Sequence, residues 1–334
     1  MAALSPCRPR GLLGCEVMML EPDRGYGKVI LFNEHFVVYG IPAIASAIDR
    51  STEAWVEPAT GHSGEPFVPG LYLDDRRPAT EGYKESKLEQ QRDSVRRILE
   101  ALGINPTDSP IRVILAGDLK AASGIGASAA SCTAMARALS RYYGLDLDDE
   151  RINEVAFEGE KGYHGTPSGI DNTAATFGGL IWFQKGKPNV LERLTLPRKV
   201  EIVMGNTGLV ANTTAAVAGV RERREAEPER YARIFDEARE LAERARRAVE
   251  EGDLDAAGRL MYENHRLLQE IEVSCEELDL LVDIARRNGA IGAKMTGGGL
   301  GGNMVALTPG ENMQERVAAA IEDAGFEALR TRIG

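Results

Sequence analysis

The chain of 334 residues has four cysteines, and none has the CxxC or metal-ligand spacing that a disulfide framework or a metal cluster would need. Cys7, Cys15, Cys132 and Cys275 are therefore expected as reduced thiols in a cytoplasmic protein. A run of roughly 20 apolar residues is also missing, so no membrane span is expected. The first twenty residues carry two arginines ahead of an apolar run, but Glu16 interrupts that run and no small-residue cleavage site follows. Residues 1–24 are read as a flexible N-terminal extension. Positive charge is in deficit, with 40 Lys and Arg against 51 Asp and Glu and a net charge of −11. Such a field repels nucleic acid and anionic membrane surfaces, so neither is an expected partner. An anionic small molecule would need locally aimed donors or a metal ion. No repeat at a fixed period of about 20 to 50 residues is visible.

What is present reads as two domains of mixed character. Residues 28–40 and 43–48 are β-rich, 83–103 turns helical and stops at Gly103, and 111–119 reads as a strand. A helix is expected over 148–165, starting near Asp148, and strands over 178–186 and 200–208. Beyond these the chain changes to long charged helices. Tyr231, Ile234, Phe235, Ala238, Leu241, Ala242, Ala245 and Val249 recur at helical spacing, with charge on the other face. Helices near 253–270 and 276–287, strands at 290–297 and 303–308, a helix at 311–324 and a last short strand complete the reading. The fold class is α+β, with domains at 25–196 and 197–334.

Four stretches carry chemistry. In "SGIGAS" (123–128) a glycine-rich loop follows a strand and opens a helix, so unpartnered N–H groups and the positive end of a helix dipole converge on one point. The loop lacks the GK[ST] of a Walker A motif and the acidic residue of a dinucleotide fingerprint. Taken alone it equally suits a helix start packed closely on a sheet. In 158–179, Glu160 and Asp171 suit a Mg²⁺ ligand and a base for a hydroxyl, or equally a helix-surface acid and a helix cap. "GKVILFNEHFVVYG" (27–40) offers Lys28, able to neutralise charge on a transferring phosphoryl group, and Glu34-His35 at the strand end. "GAKMTGGGLGGNMVAL" (292–307) is a second glycine loop, suited to close backbone approach or to a loose hairpin connection.

The order of these stretches resembles that of the GHMP kinases from about residue 27 to the end. "GYHGTPSGIDNTAATFGG" and "NTTAAVAGVR" (212–221) are most similar to the branch that phosphorylates mevalonate. The resemblance implies a two-domain GHMP kinase fold, its N-terminal part ribosomal-protein-S5-domain-2-like and its C-terminal part ferredoxin-like. It implies ATP and Mg²⁺ as cofactors, mevalonate as substrate, and a homodimer. It assigns Ser123, Gly124, Ile125, Gly126, Ala127 and Ser128 to ATP, Ser128 and Glu160 to Mg²⁺, and Lys28, Glu34, His35, Asp171 and Thr213 to the substrate. Asp171 and Lys28 would be catalytic, Asp171 as base or orienting group. Phosphomevalonate, homoserine or a sugar is the alternative substrate. Departures from the family pattern are Tyr26 for a proline, Asn33 for a glycine, Ala127 for a serine, and Gly298 and Asn303 for an alanine and a cysteine. Asn tolerates positive φ better than most residues, so Asn33 is expected to keep the backbone path of the glycine.

Overall fold

The computed structural model describes residues 21–61, 64–121, 124–165, 167–209 and 213–334. The elements follow in chain order: β1 (Asp23–Phe32), β2 (Ala43–Pro58), β3 (Leu71–Asp75), α1 (Tyr83–Ser86), α2 (Leu88–Leu102), β4 (Ile111–Gly117), α3 (Ala127–Tyr143), α4 (Asp149–His164) and α5 (Ile170–Phe177). After these come β5 (Leu180–Gln184), β6 (Val190–Leu194), β7 (Val200–Asn206), α6 (Thr213–Ala226), α7 (Pro228–Glu251), α8 (Leu254–Glu270), α9 (Glu276–Arg287), β8 (Gly292–Thr296), β9 (Asn303–Leu307), α10 (Glu311–Asp323) and β10 (Glu327–Ile333). The chain is α+β, as predicted. Among the described residues, no helix is long and apolar enough to cross a membrane. Cys132 and Cys275 are free thiols, while Cys7 and Cys15 lie outside the described residues.

Two compact units divide the chain differently from the predicted 25–196 and 197–334. The first holds residues up to Gly27 and Arg50–Phe177, the second Lys28–Asp49 and Gly178–Gly334. The reason is strand pairing that local sequence does not show. The first half of β2 pairs antiparallel with β5, Ala43 opposite Phe183 through Ser46 opposite Leu180, which draws 28–49 into the later unit. The predicted extension is also too long at its C-terminal end, since Asp23 and Arg24 already belong to β1 and Arg24 pairs with Glu53. Residues 1–20 lie outside the described residues.

In the first unit the second half of β2 runs antiparallel to β4, and β4 runs parallel to β3. Alternate β4 residues Ile111, Val113 and Leu115 meet Val95 and Ile98 of α2, Leu139 of α3 and Val155 of α4 in one core. Helix α3 is built from alanine and other small residues because its neighbours come close. A Cβ on Gly25 would stand 2.1 Å from the Ala130 carbonyl oxygen. Asp148 caps α4 as predicted, its carboxylate accepting from the Arg151 N–H at 2.8 Å.

In the second unit β10, β7, β9 and β8 form an antiparallel run in that order. The predicted stripe of α7 is buried in full, and Phe235 meets Phe36 edge-on at 5.4 Å. Burying eight such side chains is the main stabilising term for that helix, at roughly 25 cal/mol per Å² of apolar surface. The predicted strand over 28–40 stops at Phe32, and a short 3-10 turn occupies Phe36–Tyr39 before Gly40 turns left-handed. Strands β3 and β6 were not expected. Residues of β6 are mostly exposed and show no two-residue alternation, which removes the usual strand signal.

Candidate active site

The first unit holds a helix start and two acids among the predicted site residues. Gly126 caps α3 in the left-handed conformation with φ 79°, after Gly124 at φ 71°. Gly126 has no side chain to accept from the first turn, so the N–H groups of Ala127, Ser128 and Ala129 have no partner within the helix. Ile125 and Ala127 are buried and anchor the loop from behind. Ser123 lies outside the described residues. A buried Arg77, which sequence reasoning did not single out, donates to the Ala127 carbonyl at 3.3 Å and grips Asp75 with two nitrogens at 2.9 and 2.6 Å. It fixes the opening of α3 from below.

One imidazole links the predicted metal ligands. His164 Nε2 lies 3.3 Å from the Ser128 hydroxyl and 3.9 Å from Glu160 Oε2, so serine and carboxylate share one neighbour. The Glu160 side chain is 2% exposed, which corrects the plainer reading of it as a helix-surface acid. Its charge adds to burial in pushing the Cys132 thiol up, so that cysteine stays protonated and inert. Among the described residues no three His, Cys, Asp or Glu side chains converge to hold a metal alone. A serine oxygen and one carboxylate fit Mg²⁺, which keeps several waters and draws further oxygens from phosphates.

Asp171 sits half-buried in the first turn of α5. That turn is held on both sides. Asn172 donates to the Asn153 side chain at 2.7 Å, and the Thr173 hydroxyl donates to the Gly169 carbonyl at 2.7 Å.

The second unit holds Lys28, Glu34, His35 and Thr213. Lys28 is 7% exposed on β1. Two residues on, Ile30 exchanges bonds with Thr296 of β8: its N–H donates to the hydroxyl at 3.3 Å and its carbonyl accepts from it at 2.9 Å. Asn33 has φ 65°, as predicted. Its buried amide donates to the carbonyls of Pro42 and Ala238, both at 2.9 Å, and accepts from the Asn264 amide at 3.0 Å, while the Asn33 backbone N–H donates to Asn264 Oδ1 at 3.0 Å. Glu34 is buried against Lys294, a residue that sequence reasoning missed. The visible signal was a lone charge in an otherwise small and apolar strand.

His35 follows with φ 48° and ψ −47°. Its Nε2 bonds the Gly298 carbonyl at 3.0 Å, and because a carbonyl only accepts, Nε2 carries the proton. Nδ1 is then an acceptor, without a hydrogen-bond partner among the described residues. Burial lowers the imidazole from 6.5 to about 4, so it is neutral at physiological pH.

The late glycine loop is packed. A Cβ on Gly298 would fall 2.1 Å from the Thr213 hydroxyl, and one on Gly299 2.3 Å from the Val273 carbonyl oxygen. Leu300 and Thr207 add backbone bonds to Val273 and Gly302 at 2.8 and 2.9 Å, which excludes a loose hairpin.

Known proteins resemble the chain along most of its length. The family model for the GHMP kinases N terminal domain matches residues 91–179, and that for the GHMP kinases C terminal matches 245–327. The mevalonate kinase of Pyrococcus horikoshii is 38% identical, covering 92% of this chain and 93% of its own. That of Pyrococcus furiosus is 36% identical, covering 92% and 94%. Among solved structures, L. major mevalonate kinase in complex with R-mevalonate superposes with a TM-score of 0.87 at 39% identity, covering 93% of this chain and 95% of that one. With both family models matched in order and such relatives along nearly its whole length, the chain belongs to the GHMP kinases, within the mevalonate kinase family.

Proposed function

We propose that the chain transfers the terminal phosphoryl group of ATP to the primary hydroxyl of mevalonate. The observation that carries this is the likeness to the L. major enzyme, solved with R-mevalonate, at 39% identity. Lys28, Ser128, Glu160 and Asp171 all stand at the matching motif positions. Phosphoryl transfer passes through a loose transition state, so catalysis is mostly positioning and charge stabilisation.

In this reading the loop 123–128 and the first-turn amides of α3 bind the nucleotide phosphates. Ser128 and Glu160 would hold Mg²⁺, which when bound neutralises phosphate charge. Asp171 accepts or orients the hydroxyl proton of mevalonate, and Lys28 stabilises the negative charge that develops. His35 offers Nδ1 as an acceptor to a substrate hydroxyl, Thr213 adds a hydroxyl, and Glu34 supports the pocket from behind. The enzyme is read as a cytoplasmic homodimer, for which light scattering over a concentration series is the check.

The decisive experiment is ADP release with mevalonate, phosphomevalonate, homoserine and galactose. Turnover is expected with mevalonate alone, and Asp171→Asn and Lys28→Met each lower kcat by about 10²-fold or more. Absence of mevalonate-dependent turnover, or wild-type rates in both variants, overturns the reading.

A further inference from the structure

His35 occupies a costly backbone conformation. Its φ of 48° and ψ of −47°, with the Phe36 N–H bonded back to the Glu34 carbonyl, make a γ-turn with positive φ at its centre, the rarer and more strained kind. A side chain larger than glycine stays there only where its surroundings over-determine it. Asn33, just before, is also left-handed, and its side chain is fully bonded. Between the two stands Glu34.

The Glu34 carboxylate meets Lys294 Nζ, and the two side chains are 1% and 0% exposed. The ammonium also donates to the Met295 carbonyl at 2.6 Å, and the Met295 N–H donates to His265 Nδ1 at 3.3 Å. A buried ion pair is a poor way to stabilise a core, because desolvation offsets most of the attraction, and apolar residues of similar volume serve at least as well. What such a pair does supply is direction. It fixes one carboxylate on one ammonium, and with it the course of the backbone between Asn33 and Phe36. The lysine precedes the loop whose Gly298 carbonyl binds the His35 ring, so the turn and its acceptor are referred to one strand, β8.

We propose that Lys294 is a positioning residue: through Glu34 it clamps the γ-turn and so presents His35 Nδ1 to the substrate. The identity of that substrate rests on the kinase reading above, whereas the clamp does not.

The test uses the full chain with Lys294→Met, Glu34→Gln and the two combined. Lys294→Met leaves a carboxylate buried alone and lowers Tm. The combined variant buries no charge and regains a Tm close to wild type. Its KM for mevalonate nevertheless stays raised about tenfold, while its KM for ATP remains within about twofold. A combined variant that recovers the wild-type mevalonate KM along with its Tm, or a parallel rise in the KM for ATP, overturns the proposal. Should the combined variant fail to accumulate, Lys294→Met alone carries the comparison, read as the ratio of its KM for mevalonate to its KM for ATP.

A second readout is independent of turnover. The ¹⁵N imidazole signals of His35, assigned with His35→Gln, are expected to show one neutral tautomer protonated at Nε2 in the wild type and a mixture in the combined variant. Identical His35 signals in both overturn the clamp. If the wild type fails to phosphorylate mevalonate, the kinase reading falls and this spectrum alone decides the proposal.

Discussion

Two glycine-rich loops, one in each unit, use the same residue in different ways. At Gly124 and Gly126 positive φ turns the chain into α3 and leaves first-turn amides without helical partners. At Gly298 and Gly299 the missing Cβ makes room for the Thr213 hydroxyl and the Val273 carbonyl. The first loop, proposed above to bind phosphates, offers backbone amides at a helix start, and the second is a packed joint. Loss at the first is expected in kinetics, and loss at the second in stability.

The largest expected effect sharpens that contrast at the first loop. Glu160→Gln and Ser128→Ala lower kcat/KM for MgATP by about 10²-fold. Ser128→Ala leaves Tm unchanged, because among the described residues its hydroxyl meets the exposed His164 ring. A fall in Tm as large as that of the glycine variant below would break the comparison. Next comes Gly299→Ala. A Cβ there meets backbone at φ 74°, and urea denaturation is expected to show a loss of about 3 kcal/mol. Gly298→Ala meets a side-chain hydroxyl on the exposed first residue of α6, which yields more easily. It should lower stability by less than Gly299→Ala does.

Acid addresses the second unit through its two buried imidazoles. Burial lowers both His35 and His265 to about 4 from 6.5. Between these values the unfolded chain binds protons that the folded one does not, so stability rises with pH across that window. Falling pH removes it from 6.5 downward, by up to about 1.4 kcal/mol per unit for each imidazole. Urea midpoints at pH 7, 5.5 and 4.5 measure the slope, and His265→Asn should flatten it. The smallest effect is at Asn33. Both Asn33→Ala and Asn33→Gly lose the same side-chain bonds, but alanine should cost about 1 kcal/mol more because glycine accepts φ 65°.

The parts of the fold that repeat a short pattern were legible. The α7 stripe, the Asp148 cap and α9 at Glu276–Arg287 all follow from residues within a turn or two of one another, whereas the left-handed Asn33 was legible from the family resemblance. What could not be read depends on distant partners. Lys294 gains its meaning from Glu34, 260 positions away, and the strand through residue 40 breaks at Phe32 because Glu34, His35 and Asn33 are tied to β8, α8 and α7. Asp75 and Arg77 likewise lie in a stretch without clear period, and only the fold brings the guanidinium under Ala127.

Strands β1 and β2 each contribute residues to both units. The polypeptide enters one unit, visits the other for residues 28–49, returns, and leaves again at Gly178. A single cut therefore cannot yield two self-sufficient pieces. During synthesis, Lys28 and His35 leave the ribosome long before β5, α8 and β8, so residues 28–49 must await the last strands of their unit while the residues of the other unit, which end at Phe177, have already emerged.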